Sequence, residues 1–207
     1  MTPLDTYKTL ETLSEGLYKE KGSKFIAYAV PCFSEDEAKI HLENWRKEHH
    51  QARHLCYAYR FGLDKSVYRA NDDGEPSNSA GQPILGQIQS FDLTNILIGV
   101  VRYFGGTKLG VGGLVTAYKT AAKDAIENGK IVERKVFQHY RLTFSYNDMP
   151  EIMAFCKQKN WQTSNQQFDL KCNLDVAIPL DEVLIFHEKV KFLELEIHSL
   201  SLPLTSN

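Results

Sequence analysis

Apolar positions along this chain alternate between a spacing of two and a spacing near four, and the changes of spacing mark out its elements. Residues 17–21 and 24–30 are short β-rich runs parted by Gly22-Ser23, which predicts a hairpin closed by Pro31. Ser34 followed three positions later by Glu37 is a capping box. It opens a helix on which Ala38, Leu42, Trp45 and His49 share one face. His49 and His50 fall at its C-terminal end, where capping or a solvated positive charge suits them. Residues 54–61 (HLCYAYRF) alternate as a strand does, with Leu55, Tyr57, Tyr59 and Phe61 on one side and His54, Cys56, Ala58 and Arg60 on the other. A second short strand is expected over 66–70. A helix follows over 79–91, with Ile84, Ile88 and Phe91 on one side and Pro83 tolerated in its first turn. ILIGVV at 96–101 reads as a strand covered on both faces. Residues 114–128 predict a helix whose inner stripe is Leu114, Ala117, Tyr118, Ala121 and Ala125, stopped by Gly129. Residues 1–14 read as a loose arm or short helix.

Beyond residue 130 the order is strand (136–146), helix opened by Asp148, a hairpin (162–168 and 171–178), a helix opened by Asp181, and a closing strand (195–200). This βαββαβ order fits a ferredoxin-like sheet with helices on one face. The expected class is α+β, with one domain over 1–130 and a smaller one over 131–207.

Composition sharpens this picture by exclusion. The chain has 207 residues, 43% hydrophobic and 24% charged, with a formal net charge of −2, which excludes a disordered or polybasic protein. Residues 1–130 carry 16 basic and 16 acidic groups and residues 131–207 carry 8 and 10, so neither half is a basic module. An anion site must therefore be a local cluster. The start, MTPLDTYKTLE, lacks the apolar core of a signal peptide, and no apolar run is long enough to span a bilayer, so a cytoplasmic, membrane-free protein is expected. Cys32, Cys56, Cys156 and Cys172 form no CxxC and read as buried free thiols.

Candidate chemistry sits in two loops that flank the central strand. The first holds Asp72, Asp73, Gly74, Glu75 and Pro76. Its carboxylates are of the kind that bind a hard cation or act as acid and base, but they are also ordinary turn residues. Glu75 or Asp73 can equally cap the next helix or pair with Arg102. No spacing there specifies a metal. The second loop, YFGGTKLGVGG, carries five glycines between 105 and 113 and runs into a helix. Unpaired helix N-terminal amides, with Arg102 and Lys108 beside them, suit a phosphate or carboxylate. It is neither a Walker A loop nor a dinucleotide fingerprint. Arg53 and His54 open the preceding strand. Tyr57, Tyr59, Tyr103 and Phe104 offer stacking faces or serve as core and rim aromatics.

DDGEPSNSAGQPIL (72–85) and VVRYFGGTKLGVGGLVTAY (100–118), with KGSKF (21–25) and ARHLCYAYR (52–60) upstream, resemble the signature of the YigZ/IMPACT family along the whole chain. The resemblance implies an N-terminal domain like ribosomal protein S5 domain 2 and a C-terminal ferredoxin-like domain similar to the end domains of elongation factor G. It implies translation regulation, with RNA, the ribosome or a translation-linked protein as partner. Eukaryotic relatives act by binding an activator of a stress kinase. The chain departs from the family pattern at Asn78-Ser79, where Gly-Thr is common, and at Thr116, where Arg is frequent.

Residues and resemblance together point to a non-catalytic, monomeric binding protein without cofactor or metal. Its expected anion contacts are Arg53, His54, Arg102, Lys108, Gly110, Gly112 and Gly113, ordered by Asp72, Asp73 and Glu75. Two alternatives stand beside it: a phosphoester hydrolase using those carboxylates on a cation with His54 as base, and a pure protein-interaction module.

Overall fold

The computed structural model describes residues 5–200. The chain forms two compact units, one over Tyr7–Arg134 and the other made of Asp5 and Thr6 with the described residues from Lys135 onward. In the first, β2 (Ser14–Glu20), β3 (Ser23–Pro31), β4 (His54–Phe61), β5 (Val67–Asn71) and β6 (Ile96–Tyr103) make one antiparallel sheet. Its strand order is β2-β3-β6-β4-β5. Helix α1 (Glu35–Glu48) lies between β3 and β4 in sequence, α2 (Gly81–Ser90) between β5 and β6, and α3 (Gly110–Asn128) follows β6.

Alternation on the central strands decides which side each helix covers. Phe25, Ala27 and Ala29 on β3, Cys56 and Ala58 on β4, and Ile96, Ile98 and Val100 on β6 pack against α2 and α3. Their neighbours Tyr28, Val30, Leu55, Tyr59, Leu97 and Val101 pack with Ala38 and Trp45 of α1. The sheet is therefore buried on both faces, which explains why β6 reads as an unbroken apolar run. Trp45 lies on Gly99, where an added Cβ would stand 2.7 Å from the indole. On the other face α3 rests on the backbone of β2. An added Cβ on Gly16 would stand 2.3 Å from the Ala125 nitrogen, so only glycine lets the helix approach this closely.

Local signals account for both ends of α1. Ser34 Oγ accepts the Glu37 amide (3.2 Å), and the Glu37 carboxylate accepts the Phe33 amide (2.8 Å). The capping box thus closes one residue further out than its usual form. His49 is the C-terminal cap of α1, but its ring is not solvated: it bridges the hydroxyls of Tyr28 (2.7 Å) and Tyr103 (2.9 Å). Cys32, Cys56, Cys156 and Cys172 are free and buried. Burial pushes the Cys32 thiol up to about 12 and the Cys156 thiol up to about 11, so both stay protonated and unreactive at neutral pH.

Two strands differ from the expectation. The loose arm or short helix expected over 1–14 is instead, in the described part, strand β1 (Thr6–Leu10) and the start of β2; residues 1–4 lie outside the described residues. The partner of β1 is β7 (Ile131–Lys135), which the pattern also missed. Alone, each is five residues with little apolar surface, and pairing across more than a hundred positions is what makes both regular.

The second unit runs β8 (Phe137–Ser145), α4 (Met149–Lys159), β9 (Gln162–Phe168), β10 (Lys171–Pro179), a 3-10 turn, α5 (Val183–Val190) and β11 (Leu195–Leu200). The sheet order is β11-β8-β10-β9, antiparallel throughout. Both helices share one core with Tyr140, Leu142, Phe144, Leu174 and Val176, so they cover one face. Asp148 sits at the head of α4 but accepts from Ser145 instead of capping the helix. The turn Leu180–Glu182 precedes α5, which starts two residues after Asp181. On the sheet, Arg141 grips Asp175 with two hydrogen bonds (2.7 and 2.8 Å), and Asn165 adds a third (2.8 Å).

Gly16→Ala is expected to lower stability by about 1–3 kcal/mol in urea unfolding, because α3 must lift off β2; an unchanged midpoint would show that this approach is not tight. The Arg141 bonds hold the Asp175 carboxyl below its ordinary value. A depressed folded-state pKa stabilises fully above the unfolded value of about 3.9 and less as pH falls through the folded one. Asp175→Asn should thus cost about 1–3 kcal/mol at pH 7, and the gap to wild type should close below pH ~3.9. A gap independent of pH would show that the charge contributes nothing.

Candidate anion-binding site

Strand register brings the first candidates together. His54, the first residue of β4, is paired with Arg102 near the end of β6, and Arg102 with Phe25 of β3. Arg102 shares its side of β6 with Ile98 and Val100, and His54 shares its side of β4 with Cys56 and Ala58, so both lie on the α2/α3 face. The loop between β5 and α2 carries Asp72, Asp73 and Glu75 to this end of the sheet. The turn after β6 delivers the start of α3.

Each carboxylate has a separate task. Asp72 accepts the amides of Asn78 (2.8 Å), Ala80 (3.0 Å) and Gly81 (2.8 Å), so it is Asp72, not Asp73 or Glu75, that caps α2. Asp73 accepts the Leu55 amide (2.6 Å) and a guanidinium N–H of Arg46. Its own backbone carbonyl accepts from Nδ1 of His54 (2.7 Å). Glu75 Oε1 accepts from Nη1 of Arg102 (2.6 Å) and from the Tyr118 hydroxyl (2.8 Å). Both oxygens of Asp72, Oδ2 of Asp73 and Oε1 of Glu75 are committed to these donors, and no cluster of metal-binding side chains occurs among the described residues. These bonds tie the loop to α1, β4, the start of α2, the end of β6 and α3.

The Arg102–Glu75 pair is nearly sealed, with side chains 8% and 4% exposed. The Arg102 guanidinium lies 5.5 Å from the ring centres of both Phe25 and Phe104, and its Nε finds no acceptor among the described residues. Burial pushes the Tyr118 hydroxyl far above its ordinary value, so it remains a donor to Glu75. Because a carbonyl only accepts, Nδ1 of His54 must carry its proton, which fixes the tautomer of the neutral ring and leaves Nε2 without a protein partner among the described residues.

These groups border a cleft of about 460 Å³. Arg53, His54, Arg102 and Lys108 line it together with Gly110 and Glu75. Arg53 and Lys108 are exposed and make no hydrogen bond or ion pair among the described residues. Helix α3 begins at Gly110, four residues before the expected start. The glycine amides thus belong to its first turn. Leu109 supplies no side-chain cap and no acidic residue occupies that turn, so the positive end of the helix is left uncompensated. Gly110 takes φ 73°, a left-handed conformation that favours glycine. Gly112 and Gly113 share this turn but do not border the cleft, and an added Cβ on Gly113 would meet Leu109. Thr116, at the position where a cation is frequent in the family pattern, turns its hydroxyl back to the Gly112 carbonyl (3.1 Å).

Sequence reasoning missed the apolar half of the cleft. Pro76, Leu109, Val111 and Leu114 line it with Phe104, the one member already noted as a stacking face. Val111 is 56% exposed and Phe104 51%. The available signal was an aliphatic residue set between two glycines at a helix start, where nothing in the helix itself asks for it.

Residues 21–126 match the family model described as the Impact N-terminal domain. The chain belongs to the IMPACT family. The IMPACT match contains every residue of the cleft. The IMPACT family member YvyE of Bacillus subtilis is 34% identical over 185 residues, 89% of this chain and 85% of the relative. YigZ of Escherichia coli is 33% identical over 172 residues, 82% of this chain and 84% of the relative. A crystal structure of a protein described only as hypothetical superposes with TM-score 0.73 at 29% identity, covering 95% of this chain and 98% of the other. No helix among the described residues is long and apolar enough to cross a membrane.

Glu75→Ala leaves the Arg102 charge buried without its partner and is expected to cost about 3–5 kcal/mol in chemical unfolding. A loss under ~1 kcal/mol would show that the pair behaves like a surface salt bridge.

Proposed function

We propose that this IMPACT family protein is a non-catalytic, monomeric translation regulator of the cytoplasm that grips a phosphate-bearing partner, RNA or the ribosome, at the cleft beside the start of α3. The observation that carries this reading is the convergence of Arg53, His54, Arg102, Lys108 and an uncapped helix N-terminus on one cleft. Backbone amides aimed outward and unpaired cations favour phosphate oxygens. The formal charge of the whole chain is −2, so attraction has to be local, and a cleft concentrates it. The link to translation is what family membership implies. Modules over 1–130 and 131–207 are read as a first domain like ribosomal protein S5 domain 2 and a ferredoxin-like second one. The second reading draws support from the order β11-β8-β10-β9 with both helices on one face.

Co-sedimentation with ribosomes and binding of single-stranded RNA across a salt series test the proposal. Binding should weaken steeply with salt, and Arg53→Ala and Lys108→Ala should each flatten the log–log salt slope by about 0.7 if each neutralises one phosphate. Both side chains are exposed, so melting temperatures should stay at the wild-type value. Affinity and slope unchanged in both variants, or no binding at low salt, would overturn it.

A further inference from the structure

We infer that the cleft recognises a terminal 5′-phosphate with its attached nucleoside, as a free nucleoside monophosphate or as the 5′ end of an RNA, in preference to the internal phosphodiester backbone. This rests on the proposed function and narrows it to one ligand chemistry. Charge comes first. The Glu75 carboxylate is matched by Arg102, so Arg53, Lys108 and the α3 N-terminus form the unbalanced positive set. That set amounts to two full charges and about half a charge from the helix. A phosphate monoester carries about −1.5 to −2 at neutral pH. Each internal diester carries a single charge, so the monoester is the better match for so much positive charge in one cleft.

A second observation is independent of the helix end. Arg102 lines the cleft with its side chain 92% buried, and its Nε–H has no acceptor among the described residues. The nitrogen itself is covered by protein, so a ligand completes it only if the guanidinium turns toward the cleft on binding. His54 presents Nε2 on the same cleft, with Nδ1 tied to the Asp73 carbonyl, and Nε2 donates to a phosphate oxygen only when the ring is doubly protonated. The apolar half then identifies the rest of the ligand. Inorganic phosphate has no use for Phe104, Val111 and Pro76, whereas a nucleoside stacks on an aromatic ring and rests on aliphatic carbon. At about 460 Å³ the cleft falls in the size range of small-molecule sites, so it holds a single nucleotide and not a run of them.

The test compares one 3′-labelled single-stranded RNA with a 5′-phosphate or a 5′-hydroxyl, alongside adenosine monophosphate, adenosine and inorganic phosphate, all titrated against the full chain. The phosphorylated RNA should bind about tenfold tighter or better, the effect of one charge-assisted hydrogen bond. Adenosine monophosphate should bind more tightly than either adenosine or inorganic phosphate. If it matches the phosphorylated RNA, the ligand is the free nucleotide; if the RNA binds at least tenfold tighter than the monophosphate, it is the RNA end. Val111→Asp places a carboxylate in the first turn of α3, where an acidic residue favours the helix, so it should melt no lower than wild type yet abolish the 5′-phosphate preference. Phe104→Ala should weaken the monophosphate and leave inorganic phosphate unchanged. Equal, salt-dependent binding of both RNAs would overturn this inference and leave the broader RNA reading standing. Binding of no RNA, ribosome or nucleotide would sink both, and a Val111→Asp protein that keeps the 5′-phosphate preference would remove α3 from the site.

Discussion

The ion pair between Glu75 and Arg102 is the constraint on which the rest of the site depends. Each partner alone would be an expensive charge to bury, and together they are tolerable because Tyr118 adds a second donor to the carboxylate and two aromatic rings flank the guanidinium. The three partners come from three places in the chain: the acidic loop, the end of β6 and the middle of α3. Holding them at one point fixes how the loop, the sheet and the helix meet. The helix cannot slide along the sheet without breaking the Tyr118 bond, and Gly16 already lets it lie directly on β2. The position of the uncapped α3 N-terminus follows from these contacts.

The acidic loop has the same character. Its carboxylates invite a reading as metal ligands or catalysts, yet Asp72 and Asp73 accept backbone amides where the chain leaves regular structure, and Glu75 accepts from Arg102 and Tyr118. Asp72 ends the shortage of acceptors at the start of α2, and Asp73 fastens the loop to β4 and to Arg46 on α1. Local negative charge here builds a scaffold, and two cations of the cleft that have no partner among the described residues, Arg53 and Lys108, stand outside it.

Much of this was legible in the residues because both faces of β3, β4 and β6 are buried against different helices, so alternation records two cores at once. Helix α3 was legible through its alanine stripe, which survives in the structure from Leu114 to Ala125. Its first turn was not, because glycines argue against helix and Leu109 provides no cap. β1 and β7 were lost for a similar reason, since neither has enough surface to declare itself without the other. The capping role of His49 was legible from its position at a helix end, but its ring contacts were not, because only the fold brings Tyr28 and Tyr103 against it. At the site, the pairing of Arg102 with Glu75 was one option among several, while Arg46 as partner of Asp73 left no local trace. The aliphatic half of the cleft was hidden among glycines.

The acidic loop has one more consequence. Its turns are held by side-chain acceptors before any ligand arrives, so little conformational freedom remains to be lost when the cleft fills. If the proposed function holds, a partner meets the acidic-loop side of the cleft, Glu75 and Pro76, already ordered. Differences among ligands of this cleft then belong to how long each one stays.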